Sequence, residues 1–219
     1  MNEKKINPLN IILIVLSAIL FILVVLLSVV CIKLFADKTK AVSQANEYKK
    51  EYDELVLAQQ EKEQSVAEYQ NRYNKLVADM LNSGASVETQ GNIIVQVWNN
   101  AIFQKDDVST DKYTKVNGKF VSDFNDALGN LFSDPEFTKE MSQIVSDRDQ
   151  IKLDMKEMTN PPDGYQEAYQ NLKEFYEEYL AFSDIVINCN GSLESFSNSF
   201  NEADSELIKK YNSAELYVK

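Results

Sequence analysis

The stretch IILIVLSAILFILVVLLSVVCI, residues 11–32, decides how the rest of the chain is read. It carries no charge from Ile11 to Ile32, and 18 of its 22 residues are Ile, Leu, Val or Phe. At about 1.5 Å per residue a helix over it is roughly 33 Å long, enough for a bilayer core of about 30 Å. In water a helix that is apolar all round would aggregate. In lipid its backbone bonds are internal and its side chains meet acyl tails. The expectation is a short tail over 1–10 and a single transmembrane anchor over 11–34.

Two rival readings fit less well. A secretory signal has an apolar region of about 7–15 residues followed by a small-x-small site; this run is longer, and Lys33-Leu34-Phe35-Ala36 follows it. Lipid modification of Cys31 wants a small residue before it, where Val30 stands. Cys31 reads as a small apolar residue of a membrane helix. Orientation is nearly balanced. Lys4 and Lys5 oppose Glu3 on one flank; Lys33, Lys38 and Lys40 oppose Asp37 on the other. A ten-residue tail has no evident role as an outer domain. The expected location is therefore the cell membrane, single-pass, with the C-terminal domain outside.

The whole chain has 34 Asp+Glu against 22 Lys+Arg. One acid and three bases lie in residues 1–34, which leaves 33 against 19 and a formal charge of −14 on residues 35–219. Such a surface repels nucleic acid and anionic headgroups, so no nucleic acid partner is expected. The chain has no His, which removes His-based acid–base catalysis, Ser-His and Cys-His pairs and most zinc and di-iron sites. Its two Cys, 31 and 189, are not a plausible disulfide pair. Abundant Asn, Lys, Ile and Tyr suggest an AT-rich bacterial genome.

Downstream of the anchor the pattern is helical. No Gly or Pro occurs between Pro8 and Gly84. From Ala45 a 3-4 spacing runs through Tyr48, Tyr52 and Leu55, is interrupted at Gln59 and Lys62, and resumes at Val66, Tyr69, Tyr73, Leu76 and Met80. This predicts a helical stalk, or first bundle helix, over 35–83. Asn82-Ser83-Gly84 reads as its stop. A helical bundle is expected over 84–219, with 35–219 as one domain. Its helices are Val87 to Gln104, about Gly118 to Phe132, one opened by the cap Asp134-Pro135, one ending near Asn188 and one capped by Ser192. Lys105 to Gly118 reads as a loop. The fold class is all-α: an N-terminal transmembrane helix, a long helical stalk and an antiparallel four- or five-helix bundle.

Candidate sites are few. Asp107-Val108-Ser109-Thr110-Asp111 alternates like a calcium loop, but Lys112 stands where Gly is needed and Gly118 where the bidentate Glu belongs, so it reads as a polar linker. Glu174, Glu177 and Glu178 beside Lys173 read as a solvated face. Cys189 lies in a turn between two helices; a reactive thiol needs a base or a helix N-terminus to lower its pKa, and the helix starting at Ser192 would supply only a weak effect. Asn190-Gly191-Ser192 fits a glycosylation sequon but reads first as a turn. The 11 Tyr and 11 Phe have the spacing of a bundle core. Tyr48, Tyr52, Tyr69 and Tyr73 are the exceptions: on a stalk short of partner surface they would be a partner-binding site if exposed.

The layout of tail, anchor and helical bundle resembles that of bacterial envelope proteins such as the LemA group and the bitopic cell-division proteins. It is a likeness of layout alone, and no residue carries over. The functional expectation is a membrane-anchored extracellular interaction or scaffold protein without catalytic activity, cofactor or metal. It would bind the membrane through Ile11–Ile32 and a protein partner, or itself, through its helices. The alternative is an extracellular ligand-binding or sensing module that acts through a partner protein.

Overall fold

The computed structural model describes residues 8–219; most of the expected tail, with Glu3, Lys4 and Lys5, lies outside the described residues, as do the side chains of Pro8, Asn10 and Ile11. The chain is all-α and forms two compact units, Met1–Lys62 and Glu63–Lys219.

Helix α1 runs from Pro8 to Phe103. Pro8 opens it, where a missing N–H costs nothing. The expected stop at Asn82-Ser83-Gly84 is not there: Ser83 is buried, and the helix continues through Gly84 and Gly91. Both glycines are sites of close helix approach. A Cβ on Gly84 would meet Leu207 at 3.1 Å, and one on Gly91 would meet Phe200 at 2.1 Å. The helix ends one residue early, at Phe103. Gln104 takes a left-handed φ of 48°, and the Lys105 N–H donates to the Asn100 carbonyl, which closes a Schellman turn.

The expected loop 105–118 holds a short helix α2 (Asp111–Thr114) and the first strand of a small hairpin, β1 (Lys115–Val116). It pairs with β2 (Lys119–Phe120), Lys115 opposite Phe120 and Val116 opposite Lys119. Asn117 and Gly118, at φ 54° and 75°, make the tight turn between them. Helix α3 (Phe124–Phe132) therefore starts at the Asp123 cap and not at Gly118. Helix α4 (Pro135–Glu157) starts at the expected Asp134 cap, α5 (Gln166–Ile187) follows the Pro161-Pro162 break, and α6 (Leu193–Glu215) carries a capping box between Ser192 and Ser195.

Cross-contacts in the second unit fix its directions. Tyr69 reaches Met158 and Lys75 reaches Asp154, so α1 and α4 run oppositely. Tyr73 reaches Ala214 and Trp98 packs on Phe196, so α1 and α6 also run oppositely. Phe175 meets Tyr211 and Phe182 meets Phe200, which makes α5 and α6 antiparallel. Ser83 bonds Tyr179 while Gln70 bonds Tyr165, so α1 and α5 are parallel. This is an up-and-down bundle of four long helices with α3 added. Its core holds Tyr73, Leu76, Ile94, Ile144, Leu172 and Phe182, all fully buried. Phe175 is buried too, and its neighbour Tyr176 is half-buried.

Candidate interaction surface

Four tyrosines on α1 share one spacing but not one environment. Tyr69 and Tyr73 are 7% and 0% exposed and belong to the core. The Tyr69 hydroxyl donates to the Met158 carbonyl at 3.4 Å, and that of Tyr73 to the Ala214 carbonyl at 2.8 Å. Burial pushes the Tyr69 phenol up to about 12 and raises that of Tyr73 further. The expectation that these two form a partner surface is corrected: the bundle's own helices cover them. Tyr48 and Tyr52 are 70% and 66% exposed, and Leu55 beside them is 64% exposed. Upstream, the large apolar side chains from Ile12 to Phe35 are exposed too. In the first unit α1 therefore presents apolar surface that no part of that unit covers. Among the described residues it is the one helix long and apolar enough to cross a membrane.

The polar clusters of the second unit are occupied with its own architecture. The Asp107 carboxylate accepts bonds from Gln96 at 2.6 Å, Asn100 at 3.1 Å and the Ser109 hydroxyl at 2.7 Å. The bond from Ser109 is the largest of the influences that hold this carboxyl below its usual range. Asp111 faces Lys115 at 3.0 Å. The calcium-like spacing thus ties the loop to the end of α1; among the described residues no group of three metal-ligating side chains is assembled. Glu174 pairs with Lys210 at 3.0 Å, and Glu177 with Lys173 at 3.4 Å. Glu178 is half-buried on the same helix. Cys189 is half-buried, and burial pushes its thiol up to about 11, which leaves very little thiolate at neutral pH. Asn190 donates its amide to the Asn188 carbonyl, and Gly191 at φ 89° makes the turn into α6.

Asp134 was legible as a cap, but its second role was not. It accepts bonds from the Glu136 and Phe137 amides and from Lys112 at 2.8 Å. Lys112 is the main cause that takes its carboxyl from 3.8 down to about 2. A lowered folded-state value means the unfolded chain binds the proton first, so this stabilisation is complete above pH 3.8 and is lost as pH falls towards about 2. Asp134→Asn keeps a capping side chain and loses the ion pair. Thermal unfolding between pH 5 and pH 2 should show a smaller fall in Tm for Asp134→Asn than for the wild type; equal slopes would remove Asp134 from the acid response.

An open groove of roughly 390 Å³ lies where α3, α4 and α5 meet, lined mainly by Phe132, Phe137, Met141, Val145 and Ile187. Comparison with protein-family models, with curated proteins and with solved structures found no match.

Proposed function

We propose that this chain is a single-pass membrane protein whose residues 63–219 form a non-catalytic interaction or scaffold domain, held outside the cell by α1. The observation that carries the reading is the uncovered apolar surface from Ile12 to Phe35, which is continuous in the helix with exposed Tyr48, Tyr52 and Leu55. Exposed apolar area on that scale is unfavourable by about 25 cal/mol per Å² in water, so it needs lipid or protein around it. The acidic second unit suits a soluble domain beside a membrane, and its clustered carboxylates are taken up by caps, loop closure and surface ion pairs.

The test combines extraction and labelling. Membranes washed with alkaline carbonate should retain the chain. For sidedness the native Cys189 is a poor handle, because half-burial and a raised thiol value slow it. Val108 is 94% exposed at a loop tip. In a Cys189→Ser background, Val108→Cys should react with an impermeant maleimide in intact cells at least about tenfold faster than native Cys189 does. Release by carbonate would remove the anchor. Labelling of Val108→Cys only after lysis would place the domain inside.

The groove beside Met141 favours the alternative, a ligand-binding module, because its lining is apolar and open. That reading predicts a small apolar molecule co-purifying with the protein in native mass spectrometry, and its displacement by Met141→Arg. A single unliganded species would count against it.

A further inference from the structure

The 3-4 spacing of α1 holds a single heptad register from the membrane run to Ala101. With Tyr52 at position a and Leu55 at position d, each a and d residue from Tyr69 to Ala101 is buried, none more than 7% exposed. An ideal helix drifts about 20° per heptad from such a repeat, so this burial marks a seam that other helices follow. The same register continues backwards without a skip, because α1 has no break. There the d positions read Leu13, Leu20, Leu27 and Leu34, then Ala41, Tyr48 and Leu55. The a positions read Ser17, Val24, Cys31, Lys38, Ala45 and Tyr52. The large members of this seam are between 56% and 70% exposed. One register thus carries two fates: covered by the chain's own helices in the second unit, uncovered in the first.

We infer that the uncovered seam is occupied by a second copy of this chain, as a parallel two-stranded helix pair from about Leu13 to Leu55. The inference rests on the reading that residues 11–34 span a membrane. Four observations choose this occupant. Leu stands at every d position of the membrane run and β-branched Val24 at one of its a positions, and Leu at d with Val at a is the combination that favours two strands. Small residues at Ser17, Cys31 and Ala45 allow close approach in lipid, where packing drives association. Two copies inserted alike lie parallel and at the same depth, so each residue meets its twin, the geometry of a two-fold dimer. The flanking charges permit it: the parallel g-to-e pairs are Asp37 with Val42, Gln44 with Lys49, Glu51 with Val56 and Ala58 with Glu63, none of them like-charged. Lys38, alone among the a residues in being charged, sits just past the apolar run, where its stem can carry the ammonium to water. Gln59 and Lys62 end the seam. Its part beyond the membrane, residues 35–55, is about three heptads, at the lower limit of a self-sufficient coiled coil, and confinement of both copies in one bilayer adds effective concentration.

Cys31 is a native probe of this pairing, since twin a residues face each other. Full-length protein in its native membranes, with Cys189→Ser, is oxidised with copper phenanthroline and read on a non-reducing gel. In a Cys31→Ser background, single cysteines at Leu34→Cys, Lys38→Cys and Ala41→Cys extend the seam, and Ile32→Cys, Ala36→Cys and Lys40→Cys point away from it. The expected result is a disulfide dimer of twice the chain mass, about fivefold more abundant at Cys31 and the three seam positions than at the three outward ones. A flat profile, a maximum at outward positions, no dimer, or a product with a different protein overturns the pairing while the chain stays in the membrane pellet. A chain absent from that pellet overturns the anchor itself, so the two failures are told apart.

Discussion

Gly91→Ala should destabilise the second unit by about 2 kcal/mol net, even though alanine is the better helix former by about 1 kcal/mol. The reason is the approach of α6. A Cβ at position 91 would lie 2.1 Å from Cε2 of Phe200 and 2.6 Å from its Cζ. Phe200 cannot swing aside freely: it is 2% exposed and stacks on Phe182 at 5.3 Å and on Phe196 at 6.0 Å. The clash must be relieved by moving α6 off α1 or by forcing the ring from its rotamer, and either opens packed surface. Gly84→Ala is the internal control. Its Cβ would meet only the Leu207 Cδ2 methyl, at 3.1 Å, the tip of a flexible side chain. It should fall within about 0.5 kcal/mol of wild type, the helix gain offsetting a small repacking cost. Urea unfolding of the full chain in detergent gives both numbers. Phe200→Ala alone should cost about 3–5 kcal/mol. Combined with Gly91→Ala it should cost less than the sum by about 1–2 kcal/mol, since one change makes the room the other needs. Gly91→Ala at or above wild-type stability would mean that the two helices are less closely packed than this.

The same glycines mark where local reading of the sequence fails. Asn82-Ser83-Gly84 has the composition of a helix end, and nothing within a few residues says otherwise. What keeps the helix going is Leu207 and Phe200, more than a hundred residues away, which need a bare backbone to pack against. Asn117-Gly118 was a readable turn signal, but strands of two residues leave no alternation to detect, and the polar composition of 105–118 hid them. The caps were legible because capping is local chemistry: Asp134-Pro135 and Ser192 open α4 and α6 as their sequences predict.

The tyrosines show the limit most clearly. Tyr52 and Tyr73 occupy the same seam of one helix and look alike in any window. Exposure separates them, and it depends on whether α4 and α6 reach that turn of α1. Periodicity tells which face of a helix is to be covered; only the rest of the chain tells what covers it. For the second unit the answer is intramolecular. For the first, no part of that unit covers the apolar surface, and this is the observation on which the proposed anchor and helix pair rest.

Three arginines should abolish membrane retention where one does not. Eighteen Ile, Leu, Val and Phe residues between Ile11 and Ile32 contribute, at about −0.4 kcal/mol each, an insertion free energy of about −7 kcal/mol. An arginine at the middle of the run costs about +3 kcal/mol. Ile22→Arg alone therefore leaves insertion favourable by about 4 kcal/mol, and carbonate-washed membranes should still hold the chain. Adding Ile19→Arg and Val25→Arg brings the total to about +3 kcal/mol, and the chain should move to the supernatant or aggregate. All three positions lie off the heptad seam, so the loss would report on lipid and not on a disrupted helix pair. None of the three contributes to the core, which begins at Tyr69, so the thermal unfolding of the second unit should be unchanged in each variant. If the triple variant stayed in the pellet with that unit intact, retention would have to come from a membrane-bound partner gripping the chain elsewhere. The exposed Tyr48, Tyr52 and Leu55 would then be the first surface on which to look for it.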